Sequence, residues 1–537
     1  MQDAVSKATN LSSTAVTAAV GASAKAPALT DWVAAIASST FLVLSFPDFS
    51  FWPLAWVAFA PLLIVIGRNP APRRAFLLGW LTGAVFFYGS CHWLTFSMVN
   101  YGGVPSWAAY LLLLPAPLIA GLFPAAFALI LARAVRKWGT TALLVAPLLW
   151  SSLEWARLTL IGQLWNALGY SQAFQPVLIQ AARWGGVYAV GFLVMAANSA
   201  IAFVLLKRSF RAGAIAGAVL AVVSIVIFAS HQTSPREPVA DNKKPAVVVV
   251  ALQPNVPMSL VKSNQETQTL IERHLAMSEN ALRQLPNDGT PRLVIWPESP
   301  MNFAYGNDAS LRELLVRFAT KNQTAVLLNS QELAPNDGIY NSAVLVNQEG
   351  SLIAQYDKIR LLPFGEYVPL PRWMPGSGLI GAIVGDFTPG SKYTLMPVGD
   401  VRMGVFICIE SAYPSIVRSF TQAGADVLIN ISNDGYLGPT AVMRQHLANG
   451  VFRAVENGRP VLRVTNTGIS AYITAKGEVK DTTDSFQTAV RTWTIARSEN
   501  SGTFYSKRGD LFAGVTSAIS CLLFITTFSI RKKTRGK

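Results

Sequence analysis

The sequence predicts a two-part protein: a multi-span α-helical membrane domain joined to an α/β domain outside the membrane. Residues 26–230 hold only 14 charged side chains in 205 positions, about 7%, whereas the other 332 residues hold about 18%. A typical soluble domain carries roughly 25%. Long apolar runs fill the first part, and short β-branched runs alternate with amphipathic segments in the second. These patterns exclude a purely soluble enzyme, a disordered chain and a disulfide-stapled scaffold.

The candidate spans, in order, are Trp32–Phe46, Phe51–Gly67, Ala75–Met98, Trp107–Ala132, Ala142–Leu153, Trp184–Leu206 and Ala212–Ser230, with an eighth at Leu511–Ile530. A bilayer core of about 30 Å needs about 20 helical residues, which the third, fourth, sixth, seventh and eighth supply alone. The helical state follows because backbone groups in lipid must be paired within the segment. Lys and Arg gather after every second span: Arg68, Arg73 and Arg74; Arg133, Arg136 and Lys137; Lys207, Arg208 and Arg211; and the tail Arg531–Lys537. The loops after spans one and three have none, and the region after span five has only Arg157 and Arg183. By the positive-inside rule both termini are cytoplasmic, and about residues 231–510 lie outside. The net charge of +15 could serve nucleic acid or anionic lipid. Its placement beside the spans points to the membrane and away from nucleic acid.

The expected organisation is a disordered cytoplasmic stretch over 1–30, seven spans over 31–230, a polar linker over 231–245, an external domain over 246–510, the eighth span over 511–530 and a basic tail over 531–537. No cleaved signal peptide is expected. In the external domain, strands are expected at Ala246–Leu252, Leu293–Trp296, Ala325–Asn329, Ala343–Asn347, Arg402–Cys408, Val427–Ile431 and Val461–Val464. Helices are expected at Glu266–Gln284, Ser310–Thr320, Pro414–Gln422 and Thr440–Asn457. No nucleotide-binding glycine pattern occurs there. The four histidines, His92, His231, His274 and His446, lack metal-ligand spacing. No metal or cofactor is expected, and His446 reads as structural.

Three segments carry chemistry. Cys408 ends an apolar run shortly before a helix expected to start at Pro414, a placement expected to favour thiolate. Leu293–Trp296 runs into Glu298, and Lys358 precedes a Pro/Gly-rich turn. WPES at Trp296–Ser299, YDKIRLLPFGEYVP at Tyr356–Pro369 and GVFICIE at Gly404–Glu410 together resemble the Glu–Lys–Cys triad of the nitrilase superfamily. That resemblance implies an αββα sandwich with Glu298 as general base and acid, Cys408 as nucleophile and Lys358 holding the oxyanion. It also implies the Ile409 amide as a second oxyanion donor. Glu366 and Glu410 match further carboxylates of the superfamily. They either orient Lys358 and tune protonation, or form structural pairs, for instance with Arg402 or Arg444. Asn430–Gly438 resembles a segment that usually reads Asp–x–Trp–Phe–Gly, from which Tyr436 and Leu437 depart.

Such a domain set between seven spans and one span is similar to the apolipoprotein N-acyltransferase family. His92–Trp93, Tyr101–Pro105, Trp150, Glu154, Arg157, Gly169–Gln172 and Phe504–Asp510 carry the likeness on the membrane side. The resemblance implies a phospholipid acyl donor, a thioester on Cys408 and a diacylglyceryl-apolipoprotein acceptor, in the bacterial inner membrane with the catalytic domain in the periplasm. A membrane-tethered amidase using the same triad is the alternative, and a transporter is a third class. Glu154 and Arg157 are expected to form a helix-end ion pair or to contact a head group.

Overall fold

The computed structural model describes residues 27–233, 246–258, 263–369, 386–498 and 502–528. The expected disordered stretch up to residue 26, most of the linker and the basic tail lie outside the described residues.

The first part is helical. Helices α1 (Leu29–Ser45), α2 (Ala60–Arg68) and α3 (Pro72–Cys91) are followed by the short α4 (Thr95–Asn100). Next come α5 (Ser106–Leu113), α6 (Pro115–Ala120) and α7 (Leu122–Trp138), then α8 (Ala146–Ile161), α9 (Ala182–Lys207) and α10 (Phe210–Gln232). Among the described residues, four helical stretches are long and apolar enough to cross a membrane: Pro72–Asn100, Ser106–Trp138, Ala182–Lys207 and Phe210–Gln232. They match the third, fourth, sixth and seventh expected spans. The fourth is broken near Pro115 and Gly121, since proline removes an intrahelical donor. The eighth, described as far as Phe528, has a helix of 16 residues, Leu511–Thr526, shorter than expected. The fifth extends to Ile161, so Glu154 and Arg157 lie within the helix rather than beyond its expected end at Leu153.

Helix α9 is the buried axis of this part. Its helical path breaks at Gly185 and Gly186. Gly186 has φ +64, and a Cβ there would stand 2.6 Å from the Tyr505 ring, so only glycine fits. The helix resumes at Val187, whose amide donates to the Glu456 carboxylate at 3.0 Å.

The second part is a sandwich of two six-stranded sheets among the described residues. Strands β1 (Val247–Gln253), β2 (Arg292–Trp296), β3 (Ala325–Leu333), β4 (Ile339–Val346) and β5 (Leu352–Asp357) form one sheet with β12 (Ala489–Ile495), in the order β12-β1-β2-β3-β4-β5. The second runs β11-β10-β9-β8-β7-β6, from β6 (Leu395–Val398), β7 (Val401–Ile407), β8 (Val427–Ser432), β9 (Val461–Thr465), β10 (Ala471–Ile473) and β11 (Val479–Lys480). Alternation decides which layer each residue fills. Val249, Leu293 and Ile295 pack with Met403, Val405 and Ile429 across the sandwich. Val250, Val294 and Trp296 face instead α11 (Asn264–Arg283) and α12 (Ala309–Asn322). Helices α13 (Pro414–Gln422) and α14 (Val442–Asn457) cover the other sheet through Phe420, Val451 and Val455. Each fully buried Val or Leu here contributes roughly 1.5–3 kcal/mol. All seven expected strands are present, and the layers are helix, sheet, sheet, helix.

Candidate active site

Four strands end on one edge of the sandwich, and the residue types that carry chemistry follow each end. Glu298 follows β2, Lys358 follows β5, Cys408 follows β7, and Asn433–Asp434 follow β8. Parallel pairing of β7 with β8 brings the last two loops together.

Lys358 is buried to 1% exposure, with its ammonium 2.9 Å from Glu366 and 3.7 Å from Glu298. The Asn341 amide donates to both carboxylates, at 2.9 Å to Glu298 and 2.6 Å to Glu366. The Asn433 amide N–H donates to the other Glu298 oxygen at 3.0 Å. Burial raises the Glu298 pKa above the usual carboxylate range. Lys358 works against that rise and Glu366 adds to it. Burial opposes the charge on Lys358, but Glu366 and Glu298 outweigh it and raise its pKa, so the ammonium is fixed.

Cys408 has a left-handed backbone, φ +51, and opens the tight turn Cys408–Ala412, which also contains Ile409. Helix α13 begins at Pro414 as expected, but the thiol is not lowered as the sequence suggests. Burial, with Glu298 close by, pushes the thiol up, and Lys358 alone of the two triad partners opposes this. These surroundings favour the neutral thiol.

Glu366 takes the orienting position, holding Lys358 and accepting from the Leu362 amide at 2.7 Å. Glu410 pairs with neither Arg402 nor Arg444. Its carboxylate accepts from the Ile407 amide, the Ile359 and Arg360 amides and the Tyr356 hydroxyl, at 2.8–3.1 Å. It ties the cysteine loop to the lysine loop. Arg402 pairs with Asp426, and Arg444 lies over the Phe174 ring.

Sequence reasoning missed a second buried network. Asp434 lies between His446, at 2.7 Å, and Arg463, at 2.6 Å, and the other His446 nitrogen is 3.0 Å from the Cys408 carbonyl. The available signal was a polar residue inside an apolar strand: Asn430 in β8 and Arg463 in β9, which bond each other.

The membrane part forms one rim. Ser97 donates to the Tyr436 carbonyl at 2.7 Å, and the Tyr101 and Tyr436 rings meet edge to face at 6.1 Å. Gly438 has φ +65 with the Phe96 ring against its Cα, leaving no room for a side chain. Tyr436 and Leu437, the departures from the superfamily pattern, thus sit where this turn meets a membrane segment. Glu154 and Arg157 each turn to backbone rather than to one another: Glu154 accepts from the Leu168 amide at 2.6 Å, and Arg157 donates to the Trp165 carbonyl at 3.0 Å.

Comparison with known proteins agrees with this division. Residues 38–200 match the model of the apolipoprotein N-acyltransferase N-terminal domain, and residues 249–502 match that of the carbon-nitrogen hydrolases. The apolipoprotein N-acyltransferase of Geobacter metallireducens is 33% identical, over 90% of this chain and 92% of its own length. That of Rhizobium etli is 29% identical over 83% of this chain and 86% of its own. Among solved structures, Saccharomyces cerevisiae Nit3, of the nitrilase superfamily, aligns with 49% of this chain and 94% of its own at 17% identity and a TM-score of 0.36.

Proposed function

Since the chain belongs to the apolipoprotein N-acyltransferase family, we propose that it takes an acyl chain from a membrane phospholipid onto Cys408 and passes it to the α-amino group of an S-diacylglyceryl-cysteine apolipoprotein. The observation that carries this reading is the convergence of Glu298, Lys358 and Cys408 at strand ends on one edge of the sandwich, beside a rim built by membrane helices. Glu298 takes the thiol proton as sulfur attacks the ester carbonyl. The oxyanion is held by the Lys358 ammonium and the Ile409 amide. Collapse expels the lysophospholipid alkoxide, which takes the proton back from Glu298 and leaves a thioester. In the second half Glu298 accepts a proton from the attacking amine, and the Cys408 thiolate leaves and is reprotonated.

The membrane arrangement belongs to the same reading: eight spans, both termini in the cytoplasm and the catalytic domain in the periplasm. The regions poorest in Lys and Arg are those that touch the catalytic domain. Gln445 bonds the Pro47 and Ser90 carbonyls and the Trp165 indole, and Tyr413 bonds the Gly162 carbonyl. The basic ends gather elsewhere. Arg74 pairs with Asp31, and Lys137 bonds the Thr526 carbonyl near the end of the last described helix.

A tethered hydrolase would use the same triad but pass the acyl group to water. Phospholipid alone should therefore give about one equivalent of lysophospholipid per Cys408 and then stall, the burst of a ping-pong scheme. A diacylglyceryl-cysteine peptide should restart turnover, and the same peptide with an acetylated amine should not. Sustained release of free fatty acid without an amine would reject the transferase reading.

A further inference from the structure

We propose that Arg360 binds the phosphate of the donor phospholipid and so selects which ester reaches Cys408, a role that rests on Cys408 taking its acyl group from a phospholipid. Arg360 is fixed close to the reacting atoms by the cysteine turn itself. Its backbone N–H donates to the Glu410 carboxylate at 3.1 Å, and so does that of Ile359 at 2.8 Å. Glu410 lies in the turn Cys408–Ala412. Lys358, earlier in the same loop, is buried against Glu298 and Glu366, whereas Arg360 is exposed. The Arg360 guanidinium lies over the Tyr413 ring, 5.5 Å from its centroid, and the Tyr413 hydroxyl donates to the Gly162 carbonyl at 3.0 Å. The guanidinium thus stands where the cysteine turn meets the end of α8, a helix end on which Leu160 and Ile161 are exposed.

This cation is held but not neutralised. Among the described residues no carboxylate pairs with the Arg360 guanidinium, and the Tyr413 ring covers its face while leaving the N–H groups at its edge free to donate. The neighbouring cations are occupied: Lys358 by Glu366 and Glu298, Arg463 by Asp434, Arg453 by Glu456 and Arg157 by the Trp165 carbonyl. A guanidinium presents paired N–H groups that match two oxygens of a phosphate. In a glycerophospholipid the phosphate and the acyl esters share one glycerol, so an ester carbonyl placed at the Cys408 sulfur brings the phosphate within a few bonds of the reacting carbon. The diacylglyceryl-cysteine acceptor also carries acyl esters on a glycerol, but it has no phosphate. The contact therefore belongs to the first half-reaction, where it favours the donor's esters over those of the acceptor.

Acylation of Cys408 in the full-length protein, read as the mass gain of the intact chain, tests this with two donors. One is dipalmitoyl phosphatidylethanolamine in a non-ionic detergent, where the donor carries the only phosphate. The other is para-nitrophenyl palmitate, an ester of the same acyl chain without phosphate. Arg360→Gln keeps a side chain that can cover Tyr413 but loses the charge. Its acylation rate at low donor concentration should fall about tenfold more with the phospholipid than with the phosphate-free ester, the effect of one hydrogen bond to a charged group. Arg360→Lys, which keeps a charge, should recover part of that loss. An equal fall with both donors would make Arg360 a structural residue and overturn the proposal. So would an undiminished rate with phospholipid, or an equal loss in the Gln and Lys variants. If the parent protein is acylated by para-nitrophenyl palmitate but not by the phospholipid, the phospholipid-donor reading itself fails and takes the Arg360 contact with it. If the parent and both variants take the phospholipid acyl chain alike, the donor reading stands and the Arg360 contact alone falls.

Discussion

Glu298 accepts hydrogen bonds on both oxygens yet is held above the ordinary carboxylate range, chiefly by burial. That combination sets the pH behaviour of the first half-reaction. In the proposed reaction Glu298 must be ionised to take the Cys408 proton, so the acylation rate should fall as pH drops through its raised pKa, and the acid limb should lie above the ordinary 4.5. Asn341→Leu removes the amide that bonds both carboxylates and favours the ionised form of Glu298. The limb should move to higher pH and acylation at neutral pH should fall by roughly tenfold, the effect of about 1.4 kcal/mol. Single-turnover lysophospholipid release across pH measures both, and an unmoved limb would reject Glu298 as the base. Asn341 itself was not legible in the sequence. It sits at the start of a strand whose apolar run begins only at Ala343, and its role depends on two carboxylates brought in from distant loops.

At the scale of elements, what could be read in the sequence followed from burial on both faces. Strands β2, β7, β8 and β9 are buried along nearly their whole length, so they appear as unbroken apolar runs. Strand β12 lies at a sheet edge and reads Ala-Val-Arg-Thr-Trp-Thr-Ile, with exposed Thr492 and Thr494 on either side of Trp493, and it escapes such a reading. Strands β5, β6, β10 and β11 escape it as well, being short or half exposed. Helix α14 was legible as an element, but its joint with the membrane part was not. Gln445 accepts from the Trp93 and Trp165 indoles at 3.0 and 2.8 Å and donates to the Pro47 and Ser90 carbonyls at 2.9 Å each. Gln445→Leu leaves several buried polar groups without a partner, each costing about 1–3 kcal/mol. The purified variant should lose thermal stability and acylation together. A midpoint equal to that of the parent protein would mean that the two parts hold together by other contacts.

At the scale of the whole molecule, charge and contact divide the helix ends in the same way. The positive-inside rule draws on Lys and Arg in short loops and makes no use of the catalytic domain. The hydrogen bonds of Gln445, Tyr413 and Ser97 make no use of loop charge. Both put the loops near Pro47, Ser90 and Gly162 on the side of the catalytic domain. Both put Arg74 and Lys137 on the other, where they meet Asp31 and Thr526. Charge and contact thus sort these five connections alike, as the proposed arrangement across a bilayer requires. A reporter enzyme that works only outside the cytoplasm should therefore be active when fused after residue 240 and silent when fused after Lys537. A reporter that works only inside should give the reverse. Inside activity at residue 240 would put Cys408 away from the outer leaflet, where lipoprotein acceptors are anchored in the proposed reaction. It would remove the topology and the acceptor at once while leaving the triad geometry untouched.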